Sequence, residues 1–279
     1  MDAHVHLDLN PEDQNPPQHT LPRVIPHMQE RAQKMAQAGI TTARDLGGGA
    51  WYELALRDAI MQGAQVGPRL LCSGQPITSP QGHCHFWGGE ASNLAAGLEV
   101  LQRQVDHGVD LIKIMATGGR LTKGSEPGDA QFPQDTMDAL VETAHALNLP
   151  VAAHCHGTEG IHRAALAGVD TIEHCSWVGH EGWASDYQDE VAKVILNNGV
   201  WVSPTVNKGW QRMLDSKSGA VLARVRAAYR KMLDMGIPLV ASTDAGIPGV
   251  FHADLPHALI IFAKIAQLSK IDALKSATS

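Results

Sequence analysis

The chain has 279 residues, a net charge of −7 with histidine counted as neutral, and 44% apolar residues. A length near ~250 residues suits one large α/β barrel with a single core, and the acidic balance argues against a general nucleic-acid or anionic-membrane binder. No apolar run reaches the ~20 residues that span a bilayer, no export leader precedes Asp2, and Cys72, Cys84, Cys155 and Cys175 form no C-x-x-C pair, which together predict a reduced, cytoplasmic protein.

The chain opens MDAHVHLDLN. On a strand, residues i and i+2 share a face, so His4 and His6 project together while Ala3 and Val5 turn the other way. Further along, AQAGITTARDL, DHGVDLIKIM, LAGVDTIEHC, NNGVWVSPTV and DMGIPLVAST each close an amphipathic segment with Gly and pass into a short apolar run. Gly39, Gly108, Gly168, Gly199 and Gly236 are placed as helix C′ residues, and the runs after them read as buried parallel strands. VGPRLLCSG and LNLPVAAHC make the same join with Pro. Strands are predicted near 3–6, 40–45, 68–73, 110–115, 150–154, 170–174, 200–204 and 237–242. Between them, Leu94, Leu98, Leu101 and Val105 recur at helical spacing, as do Met137, Leu140, Val141, Ala144 and Leu147, and then Val221, Leu222, Val225, Met232 and Leu233. Strict β-α alternation repeated eight times predicts a closed (β/α)8 TIM barrel. A doubly wound open sheet usually carries a Gly-rich phosphate loop after its first strand, and none is present here. Three strand-to-helix loops, 7–26, 74–93 and 116–133, are long, and in a barrel such loops surround the active site.

The polar residues fall at the C-terminal ends of these strands. His4 and His6 end the first, Lys113 lies in DLIKIM, His154 ends VAAHCHG, His174 ends DTIEHC, and Asp244 follows VAST. Each has an ordinary structural reading on its own; their joint placement on one rim points to metal binding. Neutral imidazoles and a carboxylate suit Zn²⁺ and similar divalent ions. A desolvated lysine has a lowered pKa, and its neutral amine can add to CO₂ to give an anionic carbamate able to bridge two ions.

D-x-H-x-H at the first strand, LIKIMATGG around Lys113, HCHG, IEHCS and STDAG together resemble the amidohydrolase superfamily, and within it the binuclear branch of prolidase-like and imidazolonepropionase-related hydrolases. The resemblance covers nearly the whole chain. It implies two divalent metal ions, expected to be Zn²⁺: His4, His6 and Asp244 would hold the more buried ion, His154 and His174 the other, and N6-carboxylated Lys113 would bridge them. A metal-bridging hydroxide would attack an amide-like carbonyl while Asp244 carries the proton to the leaving group, making Asp244 and Lys113 the catalytic pair. Family members usually add a β-sandwich. This chain begins inside its first strand and ends at SKIDALKSATS, which predicts a single barrel domain over 1–279 lacking most or all of that accessory domain. Imidazolonepropionase itself is mononuclear and lacks the lysine, so Lys113 argues against that activity. The superfamily's deaminases need H-x-x-E after the fifth strand, where this chain has Gly157.

The implied substrate is a small amide: a dipeptide, N-acyl amino acid, carbamate or urea. Lactone or phosphotriester hydrolysis on the same metals, and a non-catalytic metal-binding barrel, are the alternatives. His83 and His85 lie in SPQGHCHFWGGE, where similar hydrolases place a G-H-x-x motif that meets substrate; His156 and Trp177 are the other expected substrate contacts. Cys155 and Cys175 read as packing thiols, and Arg120 or Lys123 as either a carboxylate partner or solvated loop charges. The expected partner is a small molecule, with no nucleic acid and no membrane, and a homo-oligomer is compatible with the sequence.

Overall fold

Short buried runs after each helical segment become parallel strands. The structure is a computed structural model; it describes residues 1–13, 21–216 and 219–278, without the side chains of 21–23. Among the described residues the order is β1 (Asp2–Val5), α1 (Leu21–Gln37), β2 (Thr42–Asp45), α2 (Tyr52–Met61), β3 (Arg69–Cys72), α3 (Leu94–Asp106), β4 (Ile112–Met115), α4 (Gln134–Ala146), β5 (Val151–Gly157), α5 (Thr158–Ala167), β6 (Thr171–Val178), α6 (Asp189–Asn197), β7 (Trp201–Ser203), α7 (Gln211–Asp215), α8 (Ala220–Met235), α9 (Leu255–Ala266) and α10 (Lys270–Lys275). Gly168 and Gly236 end α5 and α8 at φ of 78° and 92°, a left-handed conformation that a Cβ would disfavour. The other three glycines predicted to end helices also have positive φ.

β1, β2 and β3 form one parallel sheet, and β4 to β7 a second in sequence order. Backbone hydrogen bonds link the two. Ile77, beyond β3, donates to Lys113 O at 2.8 Å and accepts from Met115 N–H at 2.8 Å. On the far side, β7 bridges to Leu239, and Ala245 bridges back to Val5. Apolar residues of the strands, among them Val5, Ile112, Ile114, Ala153, Ile172 and Val202, pack with Met35, Leu101, Leu140, Ile161, Ile195 and Ile261 in one cluster.

Two expectations need correction. The segment 237–242 is not a regular strand and carries a single isolated bridge, from Leu239 to Val202. Pro238 has no N–H to give a ladder, Ala241 N–H is taken by Ser276 O, and Thr243 N–H by the Asp2 carboxylate. The expected loop 7–26 falls partly outside the described residues, and from Leu21 onward it is α1. The four cysteines are free and buried, and among the described residues no helix is long and apolar enough to cross a membrane.

Asp2 fastens the irregular segment. Its Oδ1 accepts from Thr243 N–H at 3.0 Å and its Oδ2 from Thr243 Oγ1–H at 2.6 Å. Burial pushes the carboxyl up to about 7, against the bonds from Thr243 and His4 that pull it down. Asp2→Ala would leave two buried donors of Thr243 unpaired; the expected loss is roughly 2–3 kcal/mol of stability, read from urea unfolding. An unchanged midpoint would show that the link carries no stability.

Candidate active site

His4 and His6 leave the C-terminal end of β1 side by side, each anchored through Nδ1. His4 Nδ1–H donates to Glu173 Oε2 at 2.9 Å, and His6 Nδ1–H to Gly47 O at 3.2 Å. Because a carboxylate or a carbonyl only accepts, Nδ1 must hold the hydrogen, and Nε2 is left as a lone pair. Those two Nε2 atoms lie 3.2 Å apart. Asp244 Oδ1 completes the triangle at 3.3 Å from His4 Nε2 and 3.4 Å from His6 Nε2. Three acceptors facing one another repel unless a positive charge sits among them. A tetrahedral ion with bonds of about 2.0–2.1 Å separates its ligands by about 3.3–3.4 Å, so the triangle fits one.

Asp244 is presented by a turn. Its φ is 62°, and its N–H donates to His4 O at 2.9 Å. Burial pushes its carboxyl up, but His4, His6 and Lys113 outweigh that and hold it down at about 2. His4 itself is pushed down to about 4 by burial, and by Lys113 after that.

The second group comes from β5 and β6. Ligand atoms of His154, His156 and His174 all lie within 4.8 Å of one another, and so do those of His4, His174 and Asp244. His174 therefore joins the two groups. Its Nδ1 is hydrogen-bonded to Thr205 Oγ1 at 2.8 Å, and His156 Nδ1 to Ser176 Oγ at 2.9 Å. His154 is reversed: Nε2–H donates to Gly118 O at 3.0 Å, which leaves Nδ1 as the free lone pair. Burial is the first cause that keeps all three rings neutral.

Lys113 stands on β4 among these groups. It is 1% exposed, and its Nζ has no hydrogen-bond partner among the described residues. Burial lowers its pKa to about 8, against the pull of Glu173 and Asp244. An orphaned amine beside two sets of lone pairs fits a site for divalent ions. All six expected ligands border one cavity of about 450 Å³.

Of the expected substrate contacts, His83, His156 and Trp177 border this cavity. His83 is buried with its Nδ1 unpartnered, and its ring centre lies 4.5 Å from that of His154. It lies so close to Gly119 that a Cβ there would come within 2.5 Å of the ring. His85 is not brought to the cavity. Cys84 adopts φ 56°, which breaks the alternation, so His85 begins a one-turn 3₁₀ helix and its Nδ1 bonds back to Gly82 O at 3.1 Å.

Sequence reasoning missed the support behind His4. Glu173, fully buried on β6, also accepts from Arg44 on β2 and from Thr171 Oγ1 at 2.7 Å. Burial opposes ionisation of Glu173, yet Arg44 and His4 prevail and hold its carboxyl well below the usual range. The available signal was an acid inside an otherwise buried strand, which needs a partner.

His252 supplies a test of the buried imidazoles. Its Nε2–H donates to His6 O at 2.9 Å, and burial pushes its pKa from 6.5 to about 3. Between those values the unfolded chain binds a proton here that the folded chain does not, so acidification lowers stability. From pH 7 to pH 5 this one ring should cost about 2 kcal/mol. His252→Gln should flatten the pH dependence by that amount in urea unfolding at the two pH values; parallel curves would refute it.

Known proteins resemble this chain in sequence and in fold. Ochratoxinase of Aspergillus niger is 27% identical over 269 residues, which covers 87% of this chain and 55% of that protein. The chain thus spans about half the length of the curated relatives it matches. A solved Xaa-Pro dipeptidase with methionine bound in its active site superimposes with a TM-score of 0.83 at 27% identity, covering 100% of this chain and 72% of that one. The crystal structure of A. niger ochratoxinase gives a TM-score of 0.80 at 22% identity, covering 99% and 69%, and shows the same TIM-barrel-type fold. The profile of the amidohydrolase family matches residues 1–279 throughout, and with the residues at the strand ends arranged as described, this chain belongs to the amidohydrolase family.

Proposed function

We propose that residues 1–279 form one closed (β/α)8 catalytic barrel that hydrolyses a small amide-like bond, as found in a dipeptide, an N-acyl amino acid, a carbamate or a urea. The observation that carries this is Lys113, a fully buried and unpartnered amine between two sets of inward-facing lone pairs. The similarity to an ochratoxinase and to a Xaa-Pro dipeptidase supports an amide-type target.

His4, His6 and Asp244 would hold one divalent ion and His154 and His174 a second. Lys113 would contribute to the same centre after carbamylation: the neutral Nζ lone pair would bond the carbon of CO₂, one C=O π pair would move to oxygen, and a proton would leave to solvent. With its pKa near 8, an appreciable share of the amine is neutral at physiological pH. Bound there, the ions supply Lewis-acid polarisation of the carbonyl and a water that ionises near neutral pH; Zn²⁺ is the ion proposed.

The remaining work belongs to side chains. Asp244, ionised at neutral pH, accepts the proton of the attacking water at its carboxylate and returns it to the departing nitrogen. His83 turns an unpaired buried Nδ1 toward hydrogen bonding with the substrate, and His156, fixed by Ser176, helps to orient it. Trp177, 1% exposed, closes the pocket against bulk water. Glu173 fixes the ring of His4, as carboxylates behind metal-binding histidines do.

Lys113→Ala should lose bound zinc and amide hydrolysis together, with partial rescue by short carboxylic acids, read from metal analysis and a panel of dipeptides and N-acyl amino acids. A fully active variant would remove lysine from the mechanism. Glu173→Gln should weaken zinc binding about 10–100-fold in a chelator competition, whereas an unchanged affinity would mean that Glu173 serves only the fold.

A further inference from the structure

Two guanidinium groups border the cavity that the candidate ligands also line. Arg120 lies on the loop after β4 and Arg212 on α7; both are exposed. Neither makes an ion pair or side-chain hydrogen bond among the described residues, whereas Arg44, Arg57, Arg163, Arg224 and Arg230 are each paired with an acid. Arg120 nevertheless has a defined seat, with its Cζ 5.3 Å from the ring centre of Trp183. Trp183 packs edge-on against His156 at 4.9 Å, and His156 lies 4.6 Å from His174. A single indole therefore separates the cation from the histidine cluster.

The lining of the same cavity also includes the large apolar or aromatic side chains of Trp183, Trp210, Met213 and Tyr229. A guanidinium stacked on an indole uses its face and leaves its N–H edge free. That edge matches a carboxylate with two parallel hydrogen bonds. In a chain of net charge −7, two unpaired cations at one cavity form a local site for an anion.

We infer that Arg120, seated on Trp183 and assisted by Arg212, anchors a carboxylate of the substrate. The cavity then selects amides that end in a carboxylate and carry an aromatic or large apolar body against the tryptophan wall. The inference rests on the hydrolase reading for which bond is presented; the anion site itself stands on the arginines and the indole.

The test uses two probes with no amide bond, 3-phenylpropionate and 3-phenyl-1-propanol, titrated calorimetrically into the zinc-loaded protein. The acid should bind about tenfold more tightly than the alcohol. Arg120→Gln should reduce that ratio to about threefold, and Arg120→Gln with Arg212→Gln should bring it near unity, with circular dichroism confirming that these exposed substitutions leave the fold intact. Equal binding of acid and alcohol by the unaltered protein would overturn the anchor. So would an acid preference that survives in the double variant, because it would then arise at the cations held by the histidines. Failure to hydrolyse any N-acyl amino acid, with the arginine-dependent preference intact, would refute the hydrolase reading and leave the anchor standing.

Discussion

The site depends on one constraint: an imidazole taken out of water must be uncharged and must spend one nitrogen on a hydrogen bond. His4, His6, His156 and His174 all spend Nδ1, on a carboxylate, a carbonyl and two hydroxyls respectively. Only then do their Nε2 atoms converge. His154 obeys the same rule with the opposite nitrogen because Gly118 O lies on its other side. The outer partners thus decide which atoms the inner face can offer, and the positions of Glu173, Gly47, Ser176 and Thr205 matter as much as those of the histidines. All four lie on strands or loops other than that of the ring they orient, so the arrangement exists only when the chain is folded.

The parts of this design visible in the sequence are those governed by local rules. Helix ends at Gly168 and Gly236 follow from the need for a left-handed residue, and β4 and β5 from continuous apolar runs. The six groups expected to share a site were singled out because each lies in or just after a run that reads as a parallel strand, and the C-terminal ends of such strands gather on one side. Other features depend on neighbours distant in sequence. Nothing local told that Arg44 and Glu173 would meet, 129 positions apart. The segment after Pro238 looked like a strand by composition, yet its N–H groups are captured by Ser276 and Asp2 from opposite ends of the chain. His83 and His85 were both expected at the cavity, but the turn of the backbone at Cys84 carries His85 into a one-turn 3₁₀ helix.

Charge is distributed with the same economy. Glu173 stays ionised in the interior because Arg44 and His4 face it, and Lys113 is depressed by burial with no acid bonded to it directly to offset that. One buried ionisable group is therefore stabilised as an ion and its neighbour is poised near neutrality. The difference lies in partners rather than in depth.

The left-handed backbone around the cavity has a consequence for the evolution and engineering of this scaffold. Cys84, His174, Cys175, Trp177, Ala184, Thr205 and Asp244 all border the cavity with positive φ, though none is glycine. Each such residue costs roughly 1 kcal/mol or more relative to an unstrained one. Glycine would relieve that cost at Ala184 or Cys175, but at His174 or Asp244 it would delete the very group the turn exists to aim. The rim is thus where thermal robustness and function compete for the same positions, and gains in melting temperature obtained without loss of activity should be sought in the helices instead.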